Sequence, residues 1–303
     1  MLRTTALYSK LKAHGIPCSE IISMSNHTTM QVGGIASVVA FVRNAEELIT
    51  SIREAKNHYV KFVVIGNGSN VIFSDDGFDG LVIITGNMKN FTIEGNIIKA
   101  DCGASVSRLA VAAQKAELSG LEFAYGIPGT IGGGLFMNAG AYGGNISDVV
   151  VSSLCYDTQR DCIRKIDLDE HEFKYRESIY SKNPHLIIIA IMMELVPGKM
   201  SDIIAEMNKN VRARKEKQPL EFPSAGSVFK RPLGYYAGEM IEKSGLKGFS
   251  IGGAEVSEKH AGFIINRGTA TAKDVMDLIE HIKKTVFENY EVELECEVRF
   301  IGN

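Results

Sequence analysis

The sequence lacks a long apolar run, a strong net charge and a signal peptide. Its longest apolar stretches, such as residues 186–193, are far too short to span a bilayer. Residues 1–15 form a mixed amphipathic segment without the apolar centre of a secretory signal, so we expect a cytoplasmic protein. The formal net charge of −3 at pH 7 favours neither a nucleic acid nor a membrane surface as a partner.

Cysteine and histidine patterns typical of metal sites are also missing. The 5 cysteines are scattered without a Cys-x-x-Cys spacing, and the 7 histidines do not cluster with them, so we predict no metal site. Cys155 and Cys162 could face each other across a hairpin turned at residues 157–161. Buried free thiols are the alternative that we favour, because disulfides are rare in cytosolic proteins.

The composition is that of an ordinary globular protein. With 303 residues, 45% hydrophobic and 23% charged, the chain is long enough for two or three domains. Residues 38–42 and 62–65 are predicted to be strands that form a parallel pair, joined by a helix whose capping signal is Asn44 with Glu47. The following pattern of hairpins and helices indicates an α+β rather than an α/β protein.

Further elements follow from hydrophobic periodicity. The pattern predicts a hairpin over 91–100, a helix that begins at Val106 and ends at Gly120, and strands over 149–156 and 186–195.

The last third of the chain begins with a helix that Ser201 is predicted to cap, and the basic residues 212–217 at its end are typical of a solvated surface. Its best-marked helix has Thr271 and Asp274 as a capping pattern. The apolar stripe of that helix is Val275, Leu278, Ile279, Ile282 and Val286. Strict alternation over 292–301 predicts a strand.

Two glycine-rich segments indicate a ligand that lies close to the backbone. The first, residues 66–70, follows a predicted strand, but Val71 stands where a dinucleotide fingerprint needs its third glycine. It is either an anion-binding nest or a plain tight turn. The second, residues 126–134 with 137–144, is no Walker loop, because no Gly-Lys-Ser/Thr follows. We favour a nucleotide cradle over a structural glycine loop.

Residues 223–232 set hydroxyls beside cations. Ser224, Ser227 and Lys230 lie between two prolines, which disfavour a helix interior, so we expect a constrained loop or a short strand. Such a segment could hold a proton donor near an anionic substrate, or it could be a surface loop. Arg176, flanked by aromatic residues, is either a partner for a substrate carboxylate or a surface arginine.

Together these segments resemble one family, the UDP-N-acetylenolpyruvoylglucosamine reductases of peptidoglycan precursor synthesis. The matching motifs follow in the family's order over nearly the whole chain: Gly66-Asn67-Gly68-Ser69-Asn70, Gly126-Ile127-Pro128-Gly129-Thr130-Ile131-Gly132-Gly133, Asn138-Ala139-Gly140-Ala141-Tyr142, Tyr175-Arg176-Glu177-Ser178, Ala225-Gly226-Ser227-Val228-Phe229-Lys230 and Glu297-Val298-Arg299-Phe300-Ile301-Gly302. The tyrosine-bearing loop of the longer form has no counterpart, so the chain resembles the shorter, second type. Arg231 stands where the family commonly has asparagine.

The resemblance implies an α+β fold, with a two-lobed FAD-binding domain of the vanillyl-alcohol-oxidase and p-cresol-methylhydroxylase type and a smaller α+β substrate-binding domain. We place the first lobe, with an N-terminal helix, at 1–86, the second lobe at 87–197 and the substrate domain at 198–303. Two alternatives are an FAD-linked oxidase of the related fold and a non-catalytic nucleotide-binding module. A covalent-flavin oxidase needs His or Cys near the phosphate loop, and residues 61–80 contain neither.

The resemblance also implies the chemistry. It predicts an oxidoreductase with non-covalent FAD, NADPH as co-substrate and no metal, which reduces UDP-N-acetylglucosamine enolpyruvate to UDP-N-acetylmuramate. We expect a monomer that acts on small molecules only, in cell wall biogenesis, cell shape and cell division. The cofactor contacts carry over onto Gly66, Asn67, Gly68, Ser69, Asn70, Gly126, Pro128, Gly129, Thr130, Gly132, Gly133, Asn138 and Gly140.

Three residues match the family's catalytic positions. Arg176 and Glu297 are expected to stabilise an enolate that forms after hydride addition, and Ser227 is expected to protonate it. Serine alone is a weak acid, so a neighbouring lysine or an ordered water should assist it. Lys217 and Lys230 are the candidates for this role. By the same matching, the substrate contacts are Tyr175, Lys217, Lys230 and Arg299.

Overall fold

The structure is a computed structural model that describes residues 2–302. Its α-helices are α1 (Leu2–Ala13), α2 (Ala45–Asn57), α3 (Val106–Lys115), α4 (Ile131–Phe136), α5 (Ile179–Lys182), α6 (Met200–Lys217), α7 (Ala237–Lys243) and α8 (Ala272–Tyr290). Its strands are β1 (Cys18–Ser23), β2 (Ile35–Phe41), β3 (Phe62–Ile65), β4 (Val71–Phe73), β5 (Phe78–Ile84), β6 (Phe91–Glu94), β7 (Ile97–Asp101), β8 (Leu118–Ser119), β9 (Gly140–Ala141), β10 (Gly144–Asn145), β11 (Val150–Asp157), β12 (Cys162–Asp167), β13 (Leu186–Glu194), β14 (Val196–Pro197), β15 (Ser224–Ser227), β16 (Ser250–Ile251), β17 (Ala254–Val256), β18 (Phe263–Asn266) and β19 (Arg299–Ile301). None of the helices in this part of the chain has the length and apolar character needed to cross a membrane.

The chain divides into two compact units, each assembled from three stretches. Unit 1 consists of residues 2–20, 38–67 and 80–214, and unit 2 of residues 21–37, 68–79 and 215–302. Three of the boundaries fall within β1, β2 and β5, which belong to a sheet of order β1-β2-β5-β3, and the others fall after Asn67 and within α6. The division into three domains at 1–86, 87–197 and 198–303 stays a prediction.

Unit 1 is built on a five-stranded antiparallel sheet of order β12-β11-β13-β7-β6. The central strand β13 reads Leu-Ile-Ile-Ile-Ala-Ile-Met-Met-Glu, a nearly continuous apolar run that suits a strand paired on both edges. The predicted hairpin over 91–100 is confirmed as β6 and β7. One large apolar core, to which α1, α2, α3 and β13 contribute, holds this unit together.

The predicted β-α-β pattern is present with one difference. Asn44 caps α2 by accepting the Glu47 N–H, as expected. The prediction that β2 and β3 pair directly is wrong, because β5 lies between them. Strand β5 pairs in parallel with β3, in the register Phe62↔Leu81, and its buried apolar residues fill the middle of the sheet.

Unit 2 contains a four-stranded sheet of order β15-β18-β17-β16 and a parallel pair of β4 with β19. Helix α8 packs on β16 and β17. Its capping box is confirmed, since Thr271 accepts the Asp274 N–H at 3.0 Å and the Asp274 carboxylate accepts the Thr271 N–H at 3.0 Å. The predicted apolar stripe is buried along its whole length and forms much of this unit's core.

The predicted strand over 292–301 is wrong as a continuous element. Only residues 299–301 form a strand. The preceding residues pair with the segment after β15: Lys230 N–H donates to Glu295 O at 2.8 Å, and Glu297 N–H donates to Val228 O at 2.8 Å. The chain then changes partner, because Arg299 pairs with Val71 in β4. Alternation of burial survives this change of partner at Leu294 and Val298.

Two predicted helix ends are also wrong. Helix α3 ends at Lys115, where Glu117 adopts a left-handed φ of 56°, so Gly120 is not its stop. Helix α6 begins at Met200, and the Lys199 carbonyl accepts its first hydrogen bonds, so Ser201 lies inside the first turn. The basic run at its end is not wholly solvated, because Arg214 is 9% exposed.

The favoured expectation of free thiols is confirmed for Cys155, which is buried, whereas the free thiol of Cys162 is exposed. The alternative that these two cysteines face each other is wrong, since Cys155 lies opposite Arg164 and Cys162 opposite Asp157 across β11 and β12. The described cysteines are free thiols. Burial raises the pKa of the Cys102 thiol to about 12. That thiol is therefore protonated and inert at neutral pH.

The capping box of α8 yields a direct test of unit 2 stability. We expect Thr271→Ala to lower the free energy of unfolding by about 1 kcal/mol, because the Asp274 N–H loses its side-chain acceptor. Thr271→Ser keeps the oxygen and should leave stability nearly unchanged. Urea denaturation followed by circular dichroism measures both. Equal losses in the two variants would contradict a role for the hydroxyl.

Candidate active site

In unit 1 the start of the first glycine turn packs against the second glycine segment. A Cβ on Gly66 would overlap the Thr130 hydroxyl, and Asn67 Nδ2 donates to Pro128 O at 3.2 Å. Gly66 therefore has no room for a side chain. These two stretches, far apart in the sequence, form one surface. Asn67, Gly126, Pro128 and Gly133 are the exposed members of the predicted cofactor set on it.

The buried members of the same set shape that surface. Thr130 is 2% exposed and caps α4 by accepting the Gly133 N–H at 3.2 Å. A Cβ on Gly132 would lie 2.8 Å from the Cys102 Cβ, whereas a Cβ on Gly133 would lie 3.5 Å from its nearest neighbour, an ordinary contact. The Gly129 carbonyl accepts the Val106 N–H, which fixes the segment to α3. Close packing thus explains why residue 132 is glycine, whereas packing within the protein does not require a glycine at position 133.

Asn138 and Gly140 support the segment that carries Arg176. Asn138 is 7% exposed, and its Nδ2 donates to Lys174 O at 3.1 Å while its Oδ1 accepts the Ser147 N–H at 3.0 Å. Gly140 O accepts from Arg176 Nη2 at 3.1 Å. Two residues predicted to hold the cofactor therefore also position the predicted catalytic arginine.

Arg176 lies at the tip of a tight two-residue turn. Lys174 and Glu177 exchange both backbone hydrogen bonds, at 3.1 and 3.2 Å. Arg176 itself has a φ of 58°, a region that arginine seldom occupies. Such a conformation persists where the surrounding structure enforces it. The guanidinium lies 4.9 Å from the centre of the Tyr175 ring, and Tyr175 is 51% exposed.

In unit 2 the remaining turn residues anchor the chain around Glu297. Asn70 Nδ2 donates to Glu297 O at 3.1 Å, and Asn70 O accepts the Arg299 N–H at 3.1 Å. Gly68 is buried against the His27 carbonyl, and Ser69 is half-buried. The turn predicted to contact the cofactor therefore also holds the strand that begins at Arg299.

Ser227 and Glu297 lie on neighbouring segments of unit 2. Ser227 ends β15 opposite Phe263, with an irregular register after Ser224. The next residues pair with the Glu297 segment through the Glu297 N–H bond to Val228 O at 2.8 Å. This pairing sets side by side two segments from distant parts of the sequence, one that carries Ser227 and one that carries Glu297. Ser224 belongs to β15, and its carbonyl accepts from Thr29 Oγ1 at 2.7 Å.

The two candidate lysines differ in their surroundings. Lys230 Nζ forms an ion pair with Glu295 at 2.5 Å and is 21% exposed. Lys217 is exposed at the end of α6 and lies close enough to His260 to lower its pKa. Lys217 is the better placed to influence its neighbours, because a carboxylate partner already neutralises Lys230.

His260 is a residue that the sequence analysis missed. A Cβ on Gly262 would lie 3.0 Å from His260 Cε1 and 3.5 Å from Ser227 Oγ, so ring and hydroxyl flank one glycine. His260 Nδ1 accepts the Gly262 N–H at 3.1 Å, which places the ring proton on Nε2. Burial, with smaller contributions from Lys247 and Lys217, lowers the pKa of His260. Ser257 Oγ accepts from the Lys259 and His260 N–H groups, so the serine three residues before His260 could have indicated a tight turn at this histidine.

Arg214 is the second missed residue. It continues the buried stripe of α6 after Ile203, Met207 and Asn210, a spacing that could have marked it as buried. A Cβ on Gly126 would lie 3.3 Å from Arg214 Nε, and the guanidinium lies 5.6 Å from the Tyr142 ring centre. Burial lowers the pKa of the Arg214 guanidinium. A cation therefore lies beside the glycine segment.

The chemistry of this donor set fits FAD. The surface at Gly126, Pro128 and Gly133 offers backbone and a proline ring, on which a flat aromatic system can lie. Asn67 and Arg214 add a neutral amide and a positive charge, which suit a pyrophosphate.

Comparison with known proteins decides the family. Residues 36–159 match the model of an FAD binding domain, and residues 218–301 match that of the UDP-N-acetylenolpyruvoylglucosamine reductase C-terminal domain. The reductase of that name from Clostridium perfringens is 46% identical over 279 residues, 92% of this chain and 91% of that protein. The chain belongs to the UDP-N-acetylenolpyruvoylglucosamine reductase family.

Other relatives agree. The reductase from Lactobacillus acidophilus is 44% identical over 292 residues, 96% of this chain and 97% of that protein. The crystal structure of the reductase from Thermus caldophilus covers 94% of this chain and 98% of its own, with 31% identity and a TM-score of 0.80. The predicted α+β fold, with an FAD-binding and a substrate-binding domain, is confirmed, as is FAD as cofactor.

Adjacent glycines give a test of the predicted cofactor surface. We expect Gly132→Ala to destabilise the protein by about 1–3 kcal/mol, because its methyl would overpack Cys102. Gly133→Ala should keep the stability and weaken FAD binding, since its methyl would project from the exposed surface. Urea denaturation and FAD titration by flavin fluorescence measure the two effects. Unchanged FAD affinity in Gly133→Ala would remove Gly133 from the cofactor surface.

His260 gives a pH test. Because its folded pKa lies below the ordinary value of 6.5, the unfolded chain takes up the proton first, so this contribution to stability is lost as pH falls through 6.5. His260→Asn keeps an acceptor for the Gly262 N–H and cannot be protonated. Its unfolding free energy should therefore fall less than that of the wild type between about pH 7 and pH 5. Parallel pH profiles in urea denaturation would show that His260 does not titrate in this way.

Proposed function

We propose that the chain uses NADPH and bound FAD to reduce UDP-N-acetylglucosamine enolpyruvate to UDP-N-acetylmuramate, with Ser227 as proton donor and Arg176 and Glu297 stabilising the enolate. Its family makes the chain an FAD-dependent oxidoreductase of peptidoglycan synthesis that acts on the enolpyruvyl ether. The use of NADPH and the roles of individual residues go beyond that family assignment.

One observation carries the assignment of roles. The bond from Glu297 N–H to Val228 O sets the Glu297 segment directly beside the Ser227 segment within unit 2. A proton donor and a group that stabilises negative charge are the two functions that protonation of an enolate needs near one carbon. Asn70 ties the same segment from its other side through Glu297 O, so its position does not depend on one bond.

FAD would lie on the surface formed by Asn67, Gly126, Pro128 and Gly133, where the glycines let a ring approach the backbone. Bound there, FAD would supply the transfer of hydride from NADPH to the terminal carbon of the enolpyruvyl group. Thr130 and Gly132 keep this surface in shape from below. The positive charge of Arg214 favours the anionic parts of the cofactor.

Hydride addition leaves negative charge on the substrate carboxylate, and Arg176 suits this charge. Its planar guanidinium can donate two parallel hydrogen bonds to a carboxylate. The turn formed by Lys174 and Glu177 holds the side chain at one position, and Gly140 O accepts one of its N–H groups. A fixed donor stabilises developing charge without reorganising first. Tyr175, next to it and largely exposed, supports the same side of the substrate.

Ser227 would then protonate the remaining carbon, and its conjugate base needs support. Lys217 supplies a nearby positive charge, while the neutral His260 ring beside Gly262 offers an Nε2–H donor. Lys230 is held by Glu295 and is better suited to orienting the loop than to donating a proton. Glu297 assists the enolate only when it carries a proton or acts through water. Arg299, whose N–H donates to Asn70 O, begins β19 two residues after Glu297 and would be a substrate contact.

We further propose a cytoplasmic monomer. Both substrates are soluble nucleotides, for which neither a membrane nor a nucleic acid is needed as a partner. Light scattering of the purified protein at micromolar concentration and cell fractionation test the two statements. A stable dimer or a membrane-bound fraction would contradict them.

The visible spectrum tests the function as a whole. A purified preparation should show the absorbance of oxidised flavin and release FAD on denaturation. NADPH should bleach the colour without oxygen, and the enolpyruvyl nucleotide should restore it. A preparation that stays colourless after incubation with FAD would overturn the proposal. Release of no flavin on denaturation would point to a covalently linked oxidase instead.

The two serines of β15 form a matched pair for the proton step. Ser227→Ala should leave reduction of the flavin by NADPH nearly intact and slow its reoxidation by substrate about 100-fold or more, because the proton donor is lost. Ser224→Ala is the control and should preserve both steps, since only its backbone carbonyl is engaged by Thr29. Stopped-flow absorbance at the flavin maximum measures both. Equal slowing of both steps in Ser227→Ala would make Ser227 a structural residue.

A further inference from the structure

Unit 1 contains a buried chain of hydrogen bonds that the reaction does not use directly. Ser153 Oγ in β11 lies 2.7 Å from His171 Nε2 and 2.6 Å from the Tyr180 hydroxyl. The three residues are 2%, 0% and 1% exposed. A serine bonded to a histidine resembles a nucleophile with its base, but this burial excludes substrate. These three hydrogen-bonded side chains therefore have a structural or positioning role.

The donors and acceptors in this hydrogen-bond network can be assigned in one consistent way. His171 Nδ1 lies 3.3 Å from Leu168 O, and a carbonyl only accepts, so Nδ1 carries the proton. Nε2 then accepts from the Ser153 hydroxyl, and Ser153 Oγ accepts from the Tyr180 hydroxyl. Burial lowers the pKa of His171, against the opposing effect of the nearby Asp167 and Glu170, and so keeps the ring neutral. All three side chains are satisfied in this arrangement.

The hydrogen bonds among His171, Ser153 and Tyr180 link the two ends of the segment that carries Arg176. His171 immediately precedes residues 172–179, and Tyr180 immediately follows them, so one serine hydroxyl holds both ends. Phe173 stacks on the His171 ring with centroids 4.9 Å apart, which extends the support into the segment. At the other end, the fully buried Ser178 donates to Phe136 O at 2.7 Å. The anchored ends thus flank the turn whose tip is Arg176.

We propose that Ser153, through His171 and Tyr180, is a positioning residue that fixes the Arg176 turn for the enolate step. This inference rests on the proposed function, because it assumes that Arg176 contacts the substrate carboxylate. The left-handed backbone of Arg176 costs free energy, and the turn could relax if its two ends moved apart. The hydroxyl of Ser153 prevents this movement from within the sheet, without contacting substrate or cofactor.

The experiment compares neighbouring serines of β11. Ser153→Ala removes both bonds, whereas Ser152→Ala removes a buried hydroxyl at the next position of the same strand, whose side chain points to the other face. In Ser153→Ala we expect flavin reoxidation by the enolpyruvyl nucleotide to slow about ten- to a hundredfold while reduction by NADPH is unchanged. Ser152→Ala should leave both rates unchanged. Tyr180→Phe keeps the aromatic ring and removes only the hydrogen bond to Ser153. It replaces Ser153→Ala in this experiment if Ser153→Ala does not fold.

A double mutant separates positioning from general destabilisation. If Ser153 acts through Arg176, then Ser153→Ala combined with Arg176→Lys should reoxidise no more slowly than Arg176→Lys alone. Hydrogen exchange at the Glu177 amide should also rise in Ser153→Ala and not in Ser152→Ala. The inference would be overturned if the double mutant reoxidised more slowly than Arg176→Lys by the full factor that Ser153→Ala shows alone. It would also be overturned if Ser153→Ala slowed flavin reduction and flavin reoxidation equally.

The same data distinguish a failure of the proposed function. If Arg176→Lys reoxidises at the wild-type rate, the role of Arg176 fails, and the inference falls with it. If Arg176→Lys is slow and Ser153→Ala is as fast as the wild type, the proposed function stands and only the positioning role is overturned.

Discussion

The backbone bond between Glu297 and Val228 is the contact on which the proposed chemistry of unit 2 depends. It sets the register of a segment that is otherwise irregular, and a shift by one residue would turn Glu297 to the opposite face. Asn70 secures that register from a second side. The side chain of Asn70, on a tight turn, thereby helps to fix a register that the hydrogen bonds of a longer strand would otherwise fix.

In unit 1 the glycines near the proposed FAD surface differ in the space around them. Gly66 and Gly132 have no side chain because protein atoms occupy that space, whereas Gly133 faces outward. The glycines of one motif therefore differ in their surroundings, since some are required by packing and others leave exposed backbone that is available to a ligand. Asn138, also predicted to contact the cofactor, has a structural role as well, because its side-chain amide bonds to the backbone of Lys174 and Ser147.

Local signals predicted most of the fold. The capping residues Asn44 and Thr271, the stripe of α8 and the hairpin of β6 with β7 depend on neighbours in the sequence, and all were found. Strand pairing was mispredicted where a distant partner decides it: β5 lies between β2 and β3, and the segment before Arg299 changes partner. Two helix ends, at Gly120 and Ser201, were mispredicted from local signals. For the site, motif order identified the family, but His260 and Arg214 acquire their surroundings only from tertiary packing.

The parallel pair of β4 and β19 has a consequence for how the protein folds. It joins Val71 to Arg299, and unit 2 collects its three stretches across long intervening parts of the chain. Loop closure over such separations carries an entropic cost that must be met before the contacts form, and non-local pairing slows folding. Formation of unit 2 should therefore be the slow step in refolding, and the segments that carry Ser227 and Glu297, the residues proposed for the enolate step, should come together only at the end of that step.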